Sequence, residues 1–321
     1  MPAPVSKSTP LDRPIRLGTR RSPLAMAQAS EARARLCAAH GWDESAVDLM
    51  PVIASGDRIQ DRPLAEIGGK ALWTKELDEW LAEGRIHASV HSLKDVETLR
   101  PEVFAFGAIL ARADRRDRLI GASSLRELPL GAVLGTSAPR RAAQALHVRP
   151  DLKVVSLRGN VATRLTRLEA GEVDATFLAA AGLERLGWHD IGRALDSAEF
   201  LPAPSQGAIA VECRAADDIV CELIAAIDHA PTRAEVLAER ALLEALGGTC
   251  HSPVAVLCEH QDGELRMRAA LFSPDGRDKV EGEARFAADD IRAPAELALH
   301  LLEQASDAIR ATFAGAVAGR A

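Results

Sequence analysis

Short apolar runs that stop at a polar, arginine-bearing turn and give way to a capped helix recur along this chain, and no other feature constrains its fold as tightly. Alternating strand and helix signals specify a mostly parallel sheet with helices packed on its faces. Residues 15–19 read as a first strand, and Ser22-Pro23 then opens a helix in cap-then-proline order, with Leu24, Ala27, Ala32 and Leu36 on its apolar side and Gly41 past its end. Arg20 and Arg21 fall in the turn between them, where backbone N–H groups and a helix dipole favour an anion. Val47, Leu49 and Ile53 alternate as a second strand. Residues 74–83 form a short helix with Leu77, Trp80 and Leu81 on one side.

Residues 88–96 are the densest chemistry in this pattern. A buried strand at 88–90 ends in His91, Ser92, Lys94 and Asp95, just beyond its carboxyl end, where open α/β sheets place ligands. A helix start capped by Ser92 is the plainer reading of the same residues, and the two are compatible. An apolar strand at 103–110 follows. The composition then turns charged over 111–118, which reads as a crossover or hinge.

After it the pattern restarts. A strand at 133–135 leads to Ser137 as a cap and a helix carrying Arg140 and Arg141. A strand at 154–156 leads to Arg158, Gly159 and Asn160, capping a helix with Arg164 one turn in. A strand at 175–178 leads to Gly182 and Arg185. Each unit sets arginine at or near a strand-to-helix junction, and guanidinium forks there suit an acidic ligand. Residues 200–207 form a turn-rich linker before a strand at 208–211, a helix at 217–228 and another starting at Thr232, with Glu235 completing a capping box. Past Gly247-Gly248 the order changes to three strands, at 254–258, 265–271 and 280–286, and a final helix from about residue 295: an α+β end-domain.

Composition narrows the function. A net charge of −7 does not suit a nucleic-acid coat, and no apolar run approaches the roughly 20 residues of a membrane span. The first 14 residues lack the apolar core of a secretory signal, so the expected compartment is the cytoplasm. Gly68-Gly69-Lys70, in a glycine-punctuated loop at 55–70, is wrongly spaced for a P-loop. Six lysines leave 33 arginines among the 39 basic residues, an imbalance that codon bias also produces. Five cysteines without C-x-x-C spacing argue against a disulfide framework or a zinc site, and no metal site is read. Cys37 and Cys221 fall in helices and Cys213 and Cys258 at strand ends. Cys250 alone lies in a glycine-rich polar loop, beside His251, as either a reactive thiol or one packed at a domain joint.

Seven segments in order carry a family resemblance: Arg20-x-Ser22-Pro23-Leu24-Ala25, Gly68-Gly69-Lys70, His91-Ser92-Leu93-Lys94-Asp95, Ser156-Leu157-Arg158-Gly159-Asn160-Val161, Ala181-Gly182-Leu183, Gln206-Gly207, and Gly247-Gly248 followed by Cys250. From about Arg16 to the C-terminus the chain resembles the porphobilinogen deaminases, also called hydroxymethylbilane synthases. The resemblance implies an enzyme that joins four porphobilinogen molecules head to tail with release of ammonia. Its prosthetic group is a dipyrromethane, held by a thioether at the position matched by Cys250. The implied fold is α/β, with two lobes like those of type II periplasmic binding proteins and a third, smaller α+β C-terminal domain. The boundaries expected are 1–110 with a returning segment at 204–228, then 111–203, and 229–321. Asp95 matches the catalytic aspartate. Lys94, Ser137, Arg140, Arg141, Arg158 and Asn160 join Cys250 in holding the cofactor, while Arg20, Ser22, Lys70, Arg164, Arg185 and Gln206 bind substrate. The family further implies a monomer whose product passes to uroporphyrinogen III synthase in haem synthesis.

Some positions depart from the family pattern. Glu66 stands where a second lysine is common, Ala138-Pro139 replaces a serine and leucine before the arginine pair, and Trp73 takes a phenylalanine's place. Two other readings share features of the chain. A two-lobed receptor for carboxylates explains the arginine turns but needs neither Cys250 nor a third domain. A cysteine hydrolase built on Cys250 and His251 suffers because adjacent residues seldom present nucleophile and base to each other.

Overall fold

The structure, a computed structural model, describes residues 14–54, 73–249 and 251–313. It is a mixed α/β fold whose first sheet has the order β2-β1-β3-β10-β4, from β1 (Ile15–Arg20), β2 (Val47–Val52), β3 (Ala88–Ser92), β4 (Phe104–Ile109) and β10 (Ile209–Arg214). The second has the order β7-β6-β8-β5-β9, from β5 (Asp117–Ile120), β6 (Val133–Gly135), β7 (Lys153–Val155), β8 (Ala175–Ala179) and β9 (Arg193–Ala194). Both follow one plan. Strand β1 lies parallel between β2 and β3, as β6 does between β7 and β8. The fourth strand of each sheet, β10 or β5, runs antiparallel to both its neighbours. That strand is the one the chain delivers on crossing from the other lobe, β5 after residues 110–116 and β10 after residues 200–208.

Local sequence accounts for most helix starts. Helix α1 (Pro23–His40) is capped by Ser22, whose hydroxyl accepts from the Ala25 N–H, and ends at Gly41 in the left-handed conformation. Its buried stripe holds Ala32 and Leu36 as expected, with Ala25 and Ala29 in place of Leu24 and Ala27. Leu24 instead packs beside Gly182, across the space between the lobes. Helices α2 (Lys75–Ala82), α3 (Pro139–Val148), α4 (Val161–Glu169) and α5 (Ala180–Arg185) follow strands or loops as the pattern requires. Helix α6 (Asp218–Ala225) covers the first sheet, with Val220 and Ile224 in the cluster that contains Ile15, Leu17 and Val211.

Strands β11 (Val254–Gln261), β12 (Glu264–Phe272) and β13 (Lys279–Phe286) form an antiparallel sheet in the C-terminal region. Helices α7 (Ala230–Ala245) and α8 (Ala293–Gln304) bury one face of it through Leu242, Leu246, Leu297 and Leu301, with the short α9 (Asp307–Arg310) alongside. Its other face meets the second lobe, where Ala255, Leu257 and Phe272 cluster with Ala143 and Leu201.

Two expected caps are corrected. Pro231 in the first turn draws the start of α7 forward to Ala230, and the ring of His229, not Thr232, accepts from the Thr232 N–H. Thr232 instead takes the Arg112 N–H on its hydroxyl, and Glu235 pairs with Arg115, so the two form no capping box. Helix α3 begins behind Ala138, with no side-chain cap, while Ser137 Oγ lies 2.9 Å from Ser156 Oγ on the neighbouring turn. A buried carboxylate on α7 then ties the pieces together. Glu239 accepts both Arg112 Nη groups at 2.9 Å, the Ser205 N–H at 2.7 Å and the Cys258 N–H at 2.9 Å, joining both interlobe crossings to the third sheet.

Candidate active site

The two lobes and the C-terminal domain enclose a cavity of about 770 Å³, the size of an organic-ligand pocket. The end of β3 supplies its chemistry. Leu93 is fully buried with Val96, Ile109, Ala208 and Val236, and this anchor turns the 3₁₀ turn Leu93–Asp95 so that Lys94 and Asp95 line the cavity. Ser92 stands in the cap position of that turn, as the plainer reading placed it, but its side chain makes no capping bond. His91 faces away, its Nε2 2.8 Å from Ser89 Oγ and 3.5 Å from a Glu212 carboxylate oxygen. Burial alone raises the Glu212 carboxyl, yet hydrogen bonds from His91 and Arg100 outweigh it and hold the group at about 2.

A chain of polar side chains runs inward from Lys94. Its Nζ donates to Gln206 Oε1 at 3.3 Å, and Gln206 Nε2 donates to the Arg115 carbonyl and to Asp117 Oδ1. Asp117, fully buried at the start of β5, also receives Arg140 Nη2 and Arg141 Nη2, each at 2.7 Å. Burial pushes this carboxyl up, but the charges of Arg140 and Arg141 prevail and hold it well below the usual carboxylate range. Arg140 also donates to the Leu201 carbonyl and Arg141 to that of Phe177. The pair that the sequence set at an open turn therefore stands in the cavity wall with its protons largely committed to acceptors of the protein. Desolvation pulls the Lys94 ammonium down to about 8, Arg141 adding to the effect and Asp95 and Asp117 opposing it.

The remaining expected residues divide. Arg158 and Asn160 line the second lobe's side, where Asn160 caps α4 by accepting from the Thr163 N–H. Arg164 donates its Nε to the Gly159 carbonyl, and burial with Arg141's charge lowers its guanidinium to about 10. Across the cavity Arg20 stacks over the Trp73 ring at 4.1 Å, beside Ser22. Arg185 is displaced from expectation. It is not among the cavity-lining residues: its side chain bridges Glu31 and the Gly207 carbonyl from the last residue of α5. Lys70, Glu66 and Cys250 lie outside the described residues, although Thr249 and His251, either side of position 250, line the cavity.

Sequence reasoning missed Asp117 and Arg240. Asp117 hid in the charged run read as a hinge, where an acid opening a strand among arginines was the available signal. Arg240 lines the cavity from α7 and donates to the carbonyls of Val96, Glu97 and Thr98, which fixes the segment just after Asp95. Taken together, the described lining contains seven arginines, one lysine and a single acidic residue, Asp95. Such a wall fits a ligand carrying several carboxylates and places one carboxylate against it.

Comparison with known proteins agrees with this chemistry. Residues 15–222 match the family model described as porphobilinogen deaminase, dipyromethane cofactor binding domain, and residues 233–307 match its C-terminal domain. The porphobilinogen deaminase of Sphingopyxis alaskensis is 59% identical over 309 residues, covering 94% of this chain and 98% of that protein. The chain belongs to the porphobilinogen deaminase family. The deaminase of Paracoccus denitrificans is 48% identical over 273 residues, covering 84% of this chain and 87% of its own. A periplasmic substrate-binding protein from Coxiella burnetii aligns with 70% of this chain and 94% of its own at 18% identity and a TM-score of 0.42.

Membership brings the activity with it: a transferase of tetrapyrrole biosynthesis, a hydroxymethylbilane synthase using a dipyrromethane cofactor. The matched cofactor-binding domain of the deaminase takes in both lobes and both interlobe crossings, the segments that build most of the cavity. The donor set suits that group, since the described lining offers seven guanidinium groups and one ammonium to the carboxylates that a dipyrromethane would bring. Among the described residues no helix is long and apolar enough to cross a membrane.

Proposed function

We propose that Asp95 is the catalytic residue of the deaminase and that Cys250 carries the dipyrromethane through a thioether. The observation that carries the first assignment is the lone carboxylate opposite eight cations. The group supplies, when bound, the pyrrole carbon to which the first porphobilinogen is joined. Asp95 provides negative charge where the substrate's methylene turns electron-poor as ammonia leaves, and a basic oxygen for the pyrrole proton afterwards. Lys94, Arg20, Arg158 and Arg164 grip acetate and propionate side chains, with Ser22 and Lys70 assisting. Arg140 and Arg141 act mostly from within the wall, adding positive potential, while Asn160 and Ser137 shape the turns that carry the grip. Gln206 couples Lys94 to Asp117.

Sheet membership supports dividing the chain into 1–110 with 204–228, 111–203 and 229–321, because β10 returns to the first sheet after β5–β9 complete the second. The enzyme acts as a cytoplasmic monomer in this reading, and its linear bilane passes to uroporphyrinogen III synthase. Four free cysteines among the described residues suit a reducing compartment.

Intact mass tests the attachment. Purified protein is expected to be heavier than its sequence by one dipyrromethane, the excess mapping to the peptide containing Cys250 and absent from Cys250→Ser. A fully active chain of unmodified mass would remove Cys250 from the account. A pH profile tests the grip. Lys94 is charged below about 8, so the KM for porphobilinogen is expected to rise as pH climbs through that value. Lys94→Arg stays charged and loses this inflection, whereas an inflection that persists belongs to another group. The same depression makes the unfolded chain bind more protons between about 8 and the ordinary lysine value, so the cost of burying Lys94 shrinks and stability rises with pH across that window.

A further inference from the structure

Ser205 combines three observations that the assignments above leave unused. Its φ of +62° is left-handed, a conformation that among the described non-glycine residues recurs at Asp262, in the hairpin turn between β11 and β12. Its side chain is buried at 1% exposure, yet its hydroxyl has no hydrogen-bond partner. And it lines the catalytic cavity, between Pro204 and Gln206. Its backbone is well held: the N–H donates to Glu239 and the carbonyl accepts from Ala208.

Each of the first two features is unfavourable for serine, and glycine would carry neither. Two residues on, Gly207 shows what a glycine requirement looks like in this crossing. A Cβ there would meet the Ala113 carbonyl oxygen at 2.7 Å, under a φ of +87°. Position 205 has room for a side chain and keeps a hydroxyl. An unpaired buried donor beside a ligand cavity is satisfied when the ligand brings an acceptor.

We infer that Ser205 is a ligand-binding residue whose Oγ–H donates to a carboxylate oxygen of the pyrrole chain in the cavity. This rests on the reading of the cavity given above. The described lining of the cavity is cationic apart from Asp95, so the ligand oxygens drawn into it are anionic ones, and an O–H donor adds direction to a field that the arginines and Lys94 supply without it. The carboxylate has two sources, the resident dipyrromethane and the incoming porphobilinogen, and both present the same chemistry.

The test uses full-length Ser205→Gly and Ser205→Ala beside the parent. Ser205→Gly relieves the backbone, so its melting temperature is expected to match or exceed the parent's, while Ser205→Ala keeps the strain and does not. If the carboxylate is the substrate's, both variants load cofactor normally by intact mass and the KM for porphobilinogen rises about tenfold with kcat little changed. Native mass spectrometry after adding porphobilinogen then shows fewer elongated species at equal concentration. If the carboxylate is the cofactor's, the mass excess itself falls in both variants. A Ser205→Gly protein with parental cofactor loading, KM and elongation pattern overturns the inference. Failure of the wider reading looks different, because the parent would then lack the mass excess or the turnover.

Discussion

Asp95→Asn folds as the parent does, keeps its melting temperature within a degree or two, and turns porphobilinogen over at least about 10²-fold more slowly. The size of the effect follows from the makeup of the wall. Asp95 is the single acidic residue among the described lining, so none of those residues offers a second carboxylate to replace its charge. Its backbone is fixed from both sides, by Leu93 in the apolar cluster before it and by Arg240's bonds to residues 96–98 after it, so the substitution changes charge and basicity with little movement. Asparagine keeps the shape and one acceptor oxygen, which isolates the electrostatic contribution. Asp95→Ala is expected to be at least as slow. Single-turnover measurement on protein shown by mass to carry cofactor separates a loading defect from a chemical one. Loaded Asp95→Asn with more than about a tenth of parental kcat moves the chemistry to another group.

Asp117→Ala loses about 3–5 kcal/mol of stability in urea denaturation, the usual cost of stripping the partner from a buried charge. Arg140 and Arg141 then face each other across the vacated position with no carboxylate between them, and Gln206 loses an acceptor as well. The pH dependence carries a signature. The folded-state pKa of Asp117 is depressed, so its contribution is complete above the ordinary carboxylate value near 4 and disappears only as pH falls through a much lower one. The parent's stability should therefore decline below pH 4 in part because of this residue, and the variant's should decline less steeply there. A loss under about 1 kcal/mol would mean that the arginines find other partners.

Features fixed by neighbours in sequence were legible in it. The Ser22 cap, the Gly41 stop, the Asn160 cap and the strand that ends at His91 and Ser92 each depend on a handful of adjacent residues. The cation-rich cavity was legible too, because arginine after a strand declares itself locally. What the pattern did not disclose was commitment. Arg140 and Arg141 look available in sequence, and only the folded chain brings Asp117, more than 20 residues upstream, under both. Arg185 is a related case: its partners, Glu31 and the Gly207 carbonyl, come from segments far away in sequence and only the fold brings them to it. Thr232 lost its cap to His229 because Pro231 starts the helix earlier. Position-specific chemistry such as Asp95 came from the ordered set of seven segments rather than from any one of them.

Glu239 binds Arg112 in one crossing and Ser205 in the other, and so gives the molecule an anchor. One buried carboxylate thus ties both connections between the lobes to the third sheet. Gln206, one residue from that tie, and Lys94, bonded to it, belong to the same pinned stretch. For a product that lengthens stepwise, that anchorage holds the reacting end to a fixed frame.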